Sequence, residues 1–156
     1  MNFAEIKALD EQYVLPTYGR NQIAIDHGKG ATLWDTEGKE YVDFTSGIGV
    51  CSLGYANETW AKAIYDQAMK LGHISNLFYT EPYVRLASKL VPAAGMAAVF
   101  FGNSGAEANE GMIKTARKYS HDKYGQGRAT IITLNHSFHG RTITTLKATG
   151  QDHYHE

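Results

Sequence analysis

Five stretches of the chain place apolar residues at the spacing of a helix with one buried face. Leu15-Pro16 is a stop signal for the first of them, because proline cannot continue a helix. Asn57 is a typical N-cap for the second, and Pro92 is expected to end the third. The pattern predicts helices over 3–13, 57–71, 80–91, 108–119 and 142–149.

The region 22–45 alternates apolar and polar residues, which is typical of β structure. Within it, the runs 32–34 and 41–44 flank the turn sequence Asp-Thr-Glu-Gly, and this predicts a hairpin. Apolar runs at 97–101 and 129–134 lie on either side of the fourth predicted helix. A strand, a helix and a strand in this order form a βαβ unit, so we expect two parallel strands with a right-handed crossover.

Two parallel strands are too few for an independent sheet, since a parallel sheet is normally larger and buried on both faces. The chain is therefore expected to be the front part of a larger α/β protein, or one piece of a split one. We expect residues 1–55 to form an N-terminal helix and β-hairpin segment, and residues 56–156 the incomplete start of a large domain. The glycine-rich run 46–54 is predicted to be irregular but buried.

The composition excludes several classes of protein. Fifteen basic and sixteen acidic residues give a formal net charge of −1, so nucleic acid is not an expected partner. One cysteine, Cys51, is too few for a disulfide framework and is expected to be a small buried residue rather than a nucleophile. No apolar run approaches the length of a membrane span, and the N-terminus has no secretory signal. These features predict a cytoplasmic protein.

The turn Gly-Asn-Ser-Gly at 102–105 leaves a predicted strand and opens a predicted helix. Backbone N–H groups at a helix N-terminus attract anions, Ser104 adds a hydroxyl and Gly105 permits a close approach. The motif is not a P-loop, and no glycine pair of the chain has the third glycine of a dinucleotide-binding fingerprint. Phosphate binding and a capped turn that binds nothing both remain open from the spacing alone.

The loop 135–141 follows the second predicted strand, at the sheet edge where open α/β folds bind ligands. Phe138 offers an aromatic face, and the Arg141 guanidinium matches a carboxylate with two parallel hydrogen bonds. Alternatively, Phe138 is a core residue and Arg141 a solvated one. If both loops converge on one ligand, the first holds a phosphate while the second stacks a ring and clamps a carboxylate.

Other candidate groups favour simpler interpretations. The pairs His136/His139 and His153/His155 lack a third ligand at convincing spacing, so no metal site is expected. Glu110 and Lys114, four residues apart on a predicted helix, are most simply a solvated ion pair.

Four segments together resemble the class III, fold-type I aminotransferases that depend on pyridoxal 5'-phosphate (PLP). Residues 28–44 resemble their N-terminal hairpin, and residues 101–117, with the sequence Phe-Gly-Asn-Ser-Gly-Ala-Glu-Ala-Asn-Glu at the start, resemble their phosphate turn and helix. Residues 137–142, Ser-Phe-His-Gly-Arg-Thr, resemble the loop that stacks on the cofactor. Residues 75–82 resemble a dimer-interface segment, so the match covers essentially the whole chain in the correct order.

The resemblance implies a large domain with a mostly parallel sheet in a three-layer α/β/α arrangement. It implies that Ser104, Gly105 and Ala106 hold the PLP phosphate and that Phe138 stacks on the pyridine ring. Arg141 would bind the substrate α-carboxylate, with Tyr18 as a candidate helper. Asn76 and Tyr79 would lie near the site of a second subunit in a homodimer.

In the family, the lysine that forms the Schiff base with PLP comes later in the sequence than this chain extends. No catalytic lysine is therefore expected among residues 1–156, and a companion C-terminal segment would supply it. The resemblance implies transfer of an amino group between amino-acid and 2-oxo-acid substrates, most closely N-acetylornithine and 2-oxoglutarate. Ornithine, succinylornithine, succinyldiaminopimelate and 4-aminobutyrate remain alternative donors, and a non-catalytic fragment that binds only a phosphate ligand or a partner subunit remains the alternative class.

Overall fold

The computed structural model describes residues 1–155, which divide into two compact units at residues 77 and 78. The first unit contains α1 (Phe3–Tyr13), β1 (Ile25–Lys29), β2 (Thr32–Asp35), β3 (Glu40–Val42), α2 (Ser46–Gly49) and α3 (Glu58–Leu71). The second contains α4 (Glu81–Ala94), α5 (Gly105–Tyr124), α6 (Ile143–Ala148) and a short 3-10 helix, Asp152–Tyr154. The boundary predicted between residues 55 and 56 separates domains of a larger protein, and it stays a prediction.

All five predicted helices form, and the predicted N-cap at Asn57 is confirmed. The Asn2 side chain accepts from the backbone of Glu5, whose carboxylate in turn accepts from the backbone of Asn2. Asn57 Oδ1 accepts from the Trp60 N–H at 2.9 Å, which satisfies one of the N–H groups that a helix start leaves free.

The prediction that Pro92 ends α4 is wrong. The helix continues through Pro92 to Ala94, and Gly95 ends it in the left-handed conformation with a φ of 63°. The Gly95 N–H bonds to Pro92 O, and the Met96 N–H bonds to Val91 O at 3.1 Å. Pro92 removes the bond that an N–H at this position would make to the Ser88 carbonyl, but the helix still continues for two residues, so the glycine is the effective stop signal.

The sheet of the first unit is antiparallel in the order β1–β2–β3. Leu33 pairs with Gly28 on one side and with Tyr41 on the other. The Asp35 carboxylate closes the β2–β3 turn by accepting from the backbone N–H groups of Glu37 and Lys39, both at 2.9 Å. The predicted hairpin is thus confirmed, and neighbouring strands along the chain satisfy one another's backbone groups.

The glycine-rich run 46–54 is irregular, as predicted, but the prediction that it is buried is wrong. Its first four residues, named above as α2, form one left-handed turn in which every φ is positive, from 48° at Ser46 to 77° at Gly49. Ile48 is 96% exposed even though a left-handed backbone is unfavourable for a β-branched residue. No part of the chain that the structure describes covers the Ile48 side chain.

The two predicted parallel strands do not form among the described residues. Segments 97–101 and 129–134 have no assigned strand and no ladder of hydrogen bonds between them. Ile132 and Leu134 are 92% and 81% exposed, so the apolar pattern that predicted a buried strand faces solvent here. A parallel strand needs neighbours that are distant in sequence, and this stretch of chain does not supply them.

The buried part of the molecule is small and lies between α5 and α6. Ile113 on α5 is 7% exposed, while Thr145 and Thr149 are 0% and 1% exposed. The predicted apolar face of α5 is only partly covered, since Met112 and Tyr119 remain more than half exposed.

Candidate functional site

The N-terminus of α5 has the geometry of an anion-binding turn. Ser104 precedes the helix in an extended conformation, and its Oγ accepts from the Glu107 N–H at 3.1 Å. Glu107 turns its carboxylate toward Asn103, from whose backbone and side-chain amides it accepts hydrogen bonds. The N–H groups of Gly105 and Ala106 take no part in these contacts. They lie in the first turn, where a helix offers no internal acceptor.

Gly105 leaves open space at this turn. A Cβ built on its backbone meets no atom within 4 Å, so a side chain at this position would enter open space beside the first turn of α5. Together with the free N–H groups and the positive end of the α5 dipole, this opening is suited to a phosphate.

The loop 135–141 is tied to the end of α6 by its main chain. The His136 N–H bonds to Gly150 O at 2.7 Å, and the Gly150 N–H bonds to Ser137 O at 3.0 Å. The His139 N–H donates to the buried Thr149 Oγ1 at 3.1 Å. A Cβ on Gly150 would lie 2.6 Å from Leu134 O, so only glycine fits where the two segments meet.

The loop and the turn are in direct contact through Gly140. A Cβ on Gly140 would lie 2.6 Å from the Ala106 Cβ and 2.7 Å from Thr145 Oγ1, and its φ is +130°. Both the space and the backbone conformation therefore require glycine. The structure thus brings the predicted phosphate turn and the predicted ring-stacking loop to one place. This is the arrangement that binding of one ligand by both loops would require.

The two predicted ligand-binding side chains of the loop lie together. The Arg141 guanidinium is 5.8 Å from the centre of the Phe138 ring and 5.0 Å from that of Tyr154. Phe138 is 58% exposed, and the Arg141 side chain is exposed as well. An accessible ring beside an accessible guanidinium can meet a planar, carboxylate-bearing ligand. Tyr154 was not foreseen, because nothing in its local sequence indicates a contact with the loop.

The remaining predicted site residues are exposed. Tyr18 is 66% exposed in the first unit and lines a cavity of about 530 Å³ formed by α1 and residues 14–24. Asn76 is exposed, and Tyr79 is fully exposed. Because Tyr18 and Arg141 lie in different units, their suggested cooperation stays a prediction.

Sequence reasoning missed the side chains that hold the loop. Asn109 Nδ2 donates to His139 O at 2.7 Å, and Thr142 Oγ1 donates to Glu110 Oε1 at 2.6 Å. The prediction of a solvated Glu110–Lys114 pair is wrong, because Glu110 is half-buried and bonds to Thr142 instead. An available signal was the sequence Thr-x-x-Thr at 142–145, which forms a reciprocal cap at the start of α6.

One buried polar atom beside the loop lacks a partner. His139 Nε2 has no hydrogen-bond partner among residues 1–155. It lies by a cavity of about 220 Å³ whose other walls include Ile113, Ile131 and Leu134. A buried imidazole nitrogen normally finds a hydrogen bond, so His139 Nε2 is an exception within the described residues.

Two general findings bear on the class of site. Within the described part of the chain, no cluster of three or more His, Cys, Asp or Glu residues could hold a metal ion. None of the helices described there is both long and apolar enough to span a bilayer.

Comparison with known families identifies the class. The family model described as Aminotransferase class-III matches residues 14–156. The chain belongs to the class III aminotransferases, which are PLP-dependent enzymes of fold-type I, and the resemblance seen in the sequence is confirmed.

Two relatives within this family share most of their sequence with the chain over the region that they match. The chain is 58% identical over its full length to the acetylornithine aminotransferase of Haemophilus ducreyi, of which it covers 40%. It is 61% identical over 151 residues to the acetylornithine aminotransferase of Wolinella succinogenes, covering 96% of this chain and 38% of that protein. The chain thus spans about two fifths of the length of these relatives.

Solved structures agree on the fold. The ornithine aminotransferase of Toxoplasma gondii matches all of this chain with a TM-score of 0.93 at 29% identity, over 37% of its own length. The acetylornithine aminotransferase of Elizabethkingia anophelis matches 81% of this chain with a TM-score of 0.76 at 32% identity, over 33% of its length. The chain therefore adopts the fold of the N-terminal portion of such enzymes, although its own sheet is antiparallel.

Proposed function

We propose that this chain is the N-terminal part of an aminotransferase that moves the amino group of N-acetylornithine to 2-oxoglutarate with PLP, a step of arginine biosynthesis. The contact of Gly140 with Ala106 carries the proposal, because it joins an anion-binding turn to a loop that presents a ring and a guanidinium. The relatives that are 58% and 61% identical both bear the name acetylornithine aminotransferase, which supports this choice of donor.

The residues present fit PLP. Ser104, Gly105 and Ala106 hold the phosphate through the free N–H groups of α5, and the open space at Gly105 admits its oxygens. Phe138 presents an accessible face for the pyridine ring. When bound, PLP supplies the electron-accepting ring on which amino-group transfer depends.

Arg141 binds the α-carboxylate of the donor. Among residues 1–155 its guanidinium lies against Phe138 and Tyr154 rather than in an ion pair, so it is free to meet a carboxylate of the substrate. Tyr18 is retained as a candidate second contact to the substrate.

The enzyme is completed by a companion C-terminal segment. The relatives are about two and a half times as long as this chain, and the cavity beside His139 with the exposed Ile132 and Leu134 is a surface for such a segment. That segment carries the lysine that binds the cofactor covalently and moves the proton at the reacting carbon. Residues 1–156 alone are inactive. The assembled enzyme is this chain together with that segment.

A homodimer is part of the proposal. Leu77 is 86% exposed, Phe78 62% and Tyr79 fully exposed in the segment that resembles a dimer interface. Consecutive exposed apolar side chains of this size are typical of a surface that another protein covers. The cytoplasmic location stays a prediction.

The phosphate role is tested by two substitutions of Gly105 in the assembled enzyme. We expect Gly105→Val to raise the dissociation constant of PLP, because a branched side chain fills the opening in front of α5. Gly105→Ala is the matched control, since it adds one methyl group where no atom of the unit lies within 4 Å. Equal PLP affinity in Gly105→Val and the unchanged enzyme would contradict the phosphate role, and no PLP binding by the unchanged enzyme would overturn the whole proposal.

The carboxylate role is tested by titrating the half-reaction with N-acetylornithine. Arg141→Ala should weaken the donor interaction by on the order of 2–5 kcal/mol, because it removes one partner of a charge pair that the substrate desolvates. Arg141→Lys should recover little, since a point charge lacks the planar fork. PLP content should remain unchanged. Normal saturation by the donor in Arg141→Ala would return this residue to a solvated surface charge.

Ornithine is the second candidate donor. The ornithine aminotransferase of Toxoplasma gondii matches the whole chain with a TM-score of 0.93. Comparing kcat/KM for ornithine and N-acetylornithine in the assembled enzyme separates the two. A higher value for ornithine would replace the donor while leaving the cofactor and the class of reaction unchanged.

A further inference from the structure

Two consecutive residues of α5 are bonded to the loop that carries Phe138 and Arg141. Asn109 Nδ2 donates to His139 O at 2.7 Å, across 30 residues of sequence. Glu110 Oε1 accepts from Thr142 Oγ1 at 2.6 Å, across 32 residues. His139 follows Phe138 directly and Thr142 follows Arg141 directly, so each bond lies one residue after one of the two exposed ligand-binding side chains.

The opposite side of the loop rests on two buried threonines. Thr149 Oγ1 accepts from the His139 N–H at 3.1 Å and donates to Thr145 O at 2.9 Å. Thr145 Oγ1 accepts from the Thr142 N–H at 3.0 Å. The main chain of His139 is therefore held by α5 at its carbonyl oxygen and, at its nitrogen, by Thr149 directly after α6, which leaves it little freedom to rotate.

The same helix carries both parts of the candidate site. Ser104–Ala106 lie at the start of α5, and Asn109 and Glu110 follow within the next turn. A helix is rigid over such a distance, so a bond from Asn109 to the loop fixes the distance between the phosphate turn and the aromatic ring. The bond from Asn109 to the loop is part-buried, which makes it costly to exchange for a bond to water, whereas the bond between Thr142 and Glu110 is exposed.

We propose that Asn109 and Glu110 are positioning residues that set Phe138 and Arg141 against a ligand whose phosphate lies at the start of α5. The proposal rests on the proposed function. Neither residue touches the ligand. Asn109 acts on the ring-stacking side chain through the His139 carbonyl, and Glu110 acts on the guanidinium through Thr142.

The experiment uses the assembled enzyme with PLP bound and compares Asn109→Ala, Asn109→Asp and Thr142→Val with Thr142→Ser and Glu110→Gln. The first three remove a donor to the loop or to Glu110, whereas Thr142→Ser keeps the hydroxyl and Glu110→Gln keeps an acceptor oxygen. We measure the circular dichroism of the cofactor band, the dissociation constant of PLP, and kcat and KM for N-acetylornithine.

We expect the first three variants to change the circular dichroism of the bound cofactor and to raise KM for the donor. The two Asn109 variants lose a part-buried hydrogen bond and should raise KM roughly five- to tenfold, whereas Thr142→Val loses an exposed bond and should raise it less. Their PLP affinity should change less, because the phosphate turn is intact. Thr142→Ser and Glu110→Gln should retain normal values. Asn109→Asp keeps the size of the side chain, so it serves where Asn109→Ala does not fold.

A loss of thermal stability with unchanged dichroism and unchanged KM would show a merely structural role and overturn the positioning proposal alone. An unchanged enzyme that binds no PLP would overturn the proposed function and, with it, this inference. Equal defects in Thr142→Ser and Thr142→Val would also overturn it, because the hydroxyl would then not be the group that matters.

Discussion

Two parts of the molecule carry a similar strand-like pattern and behave differently. In residues 25–42, three strands pair in sequence order, and the two β2 ladders satisfy the backbone of the central strand. Segments 97–101 and 129–134 are at least as apolar, yet they form no ladder with each other among the described residues. The two regions therefore differ in whether a strand partner is available, and not in the intrinsic preference of their residues for β structure.

Antiparallel strands can pair across a short turn, so the chain between them need only close a small loop. Parallel strands pair with segments that are distant in sequence, and this chain spans only 40% of the Haemophilus ducreyi relative. The hairpin region is therefore a local structure, whereas the segments beside α5 have no strand partner among the described residues.

The largest expected contrast lies in amide hydrogen exchange. Amides of residues 129–134 should exchange rapidly in the isolated chain and at least about a thousandfold more slowly in the assembled enzyme, where they are expected to join a cooperative sheet. Amides of β2 that bond to its neighbours should already be protected in the isolated chain. Slow exchange at 129–134 in the isolated chain would break the comparison, because it would show a strand partner within these residues.

A charge introduced at position 132 should lower the free energy of unfolding of the assembled enzyme while leaving the isolated chain unaffected. Ile132 is 92% exposed in this chain, so Ile132→Asp should not reduce the helix content of the isolated chain. In the assembled enzyme the side chain becomes buried, and the unpaired carboxylate should cost on the order of 3 kcal/mol or more. The measurement is chemical denaturation, with Ile132→Val as the apolar control. An Ile132→Asp enzyme as stable as that control would mean that this face stays exposed.

A glycine-to-alanine substitution can be made both in the hairpin region, at Gly28, and in the loop beside α5, at Gly140. Gly28→Ala would place a Cβ 2.8 Å from the Tyr55 ring and from Leu33 Cδ2, and Gly140→Ala would place one 2.6 Å from the Ala106 Cβ. Gly140→Ala should cost roughly 2–3 kcal/mol in the assembled enzyme, because it combines overpacking with a positive φ. Gly28→Ala should cost less, since its backbone is unstrained and the Leu33 side chain can move. Thermal denaturation measures both, and the reverse order would contradict this ranking.

The smallest effect is a pH dependence confined to the hairpin region. Hydrogen bonds from Thr45 and Tyr55 hold the pKa of the Asp43 carboxyl below its usual value, and the bond to Asp43, at 2.8 Å, raises the pKa of Tyr55 to about 12. The Asp43 contribution is present above its unfolded pKa of 3.8 and is lost as the pH falls through the lower folded value. The Tyr55 contribution is present below its unfolded pKa of 10.0 and is lost as the pH rises through about 12.

We therefore expect urea midpoints of the first unit to be constant near neutral pH and to fall at both extremes. Tyr55→Phe should remove the alkaline decline and reduce the acid one, while Asp43→Asn should abolish the acid contribution of this group. Unchanged pH profiles in both variants would show that this pair adds nothing to the stability of the hairpin region.

Elements that depend on near neighbours along the chain could be predicted from the amino-acid sequence. The caps at Asn57 and Ser104 and the turn at Asp35 follow from side chains within four residues of the groups they satisfy. The motifs around Ser104 and Phe138 also identified the family, because their residue types and order are specific even where their geometry is unknown.

Only the tertiary structure decided which surfaces are covered and which distant groups meet. The bonds from Asn109 to His139 and from Thr142 to Glu110 join residues 30 and 32 apart, and no periodicity predicts such a pair. The unpaired segment 129–134 likewise lacks a partner among the described residues. A hydrophobic pattern reports which side of an element seeks burial, but the partner that buries it is chosen by contacts far along the chain or beyond it.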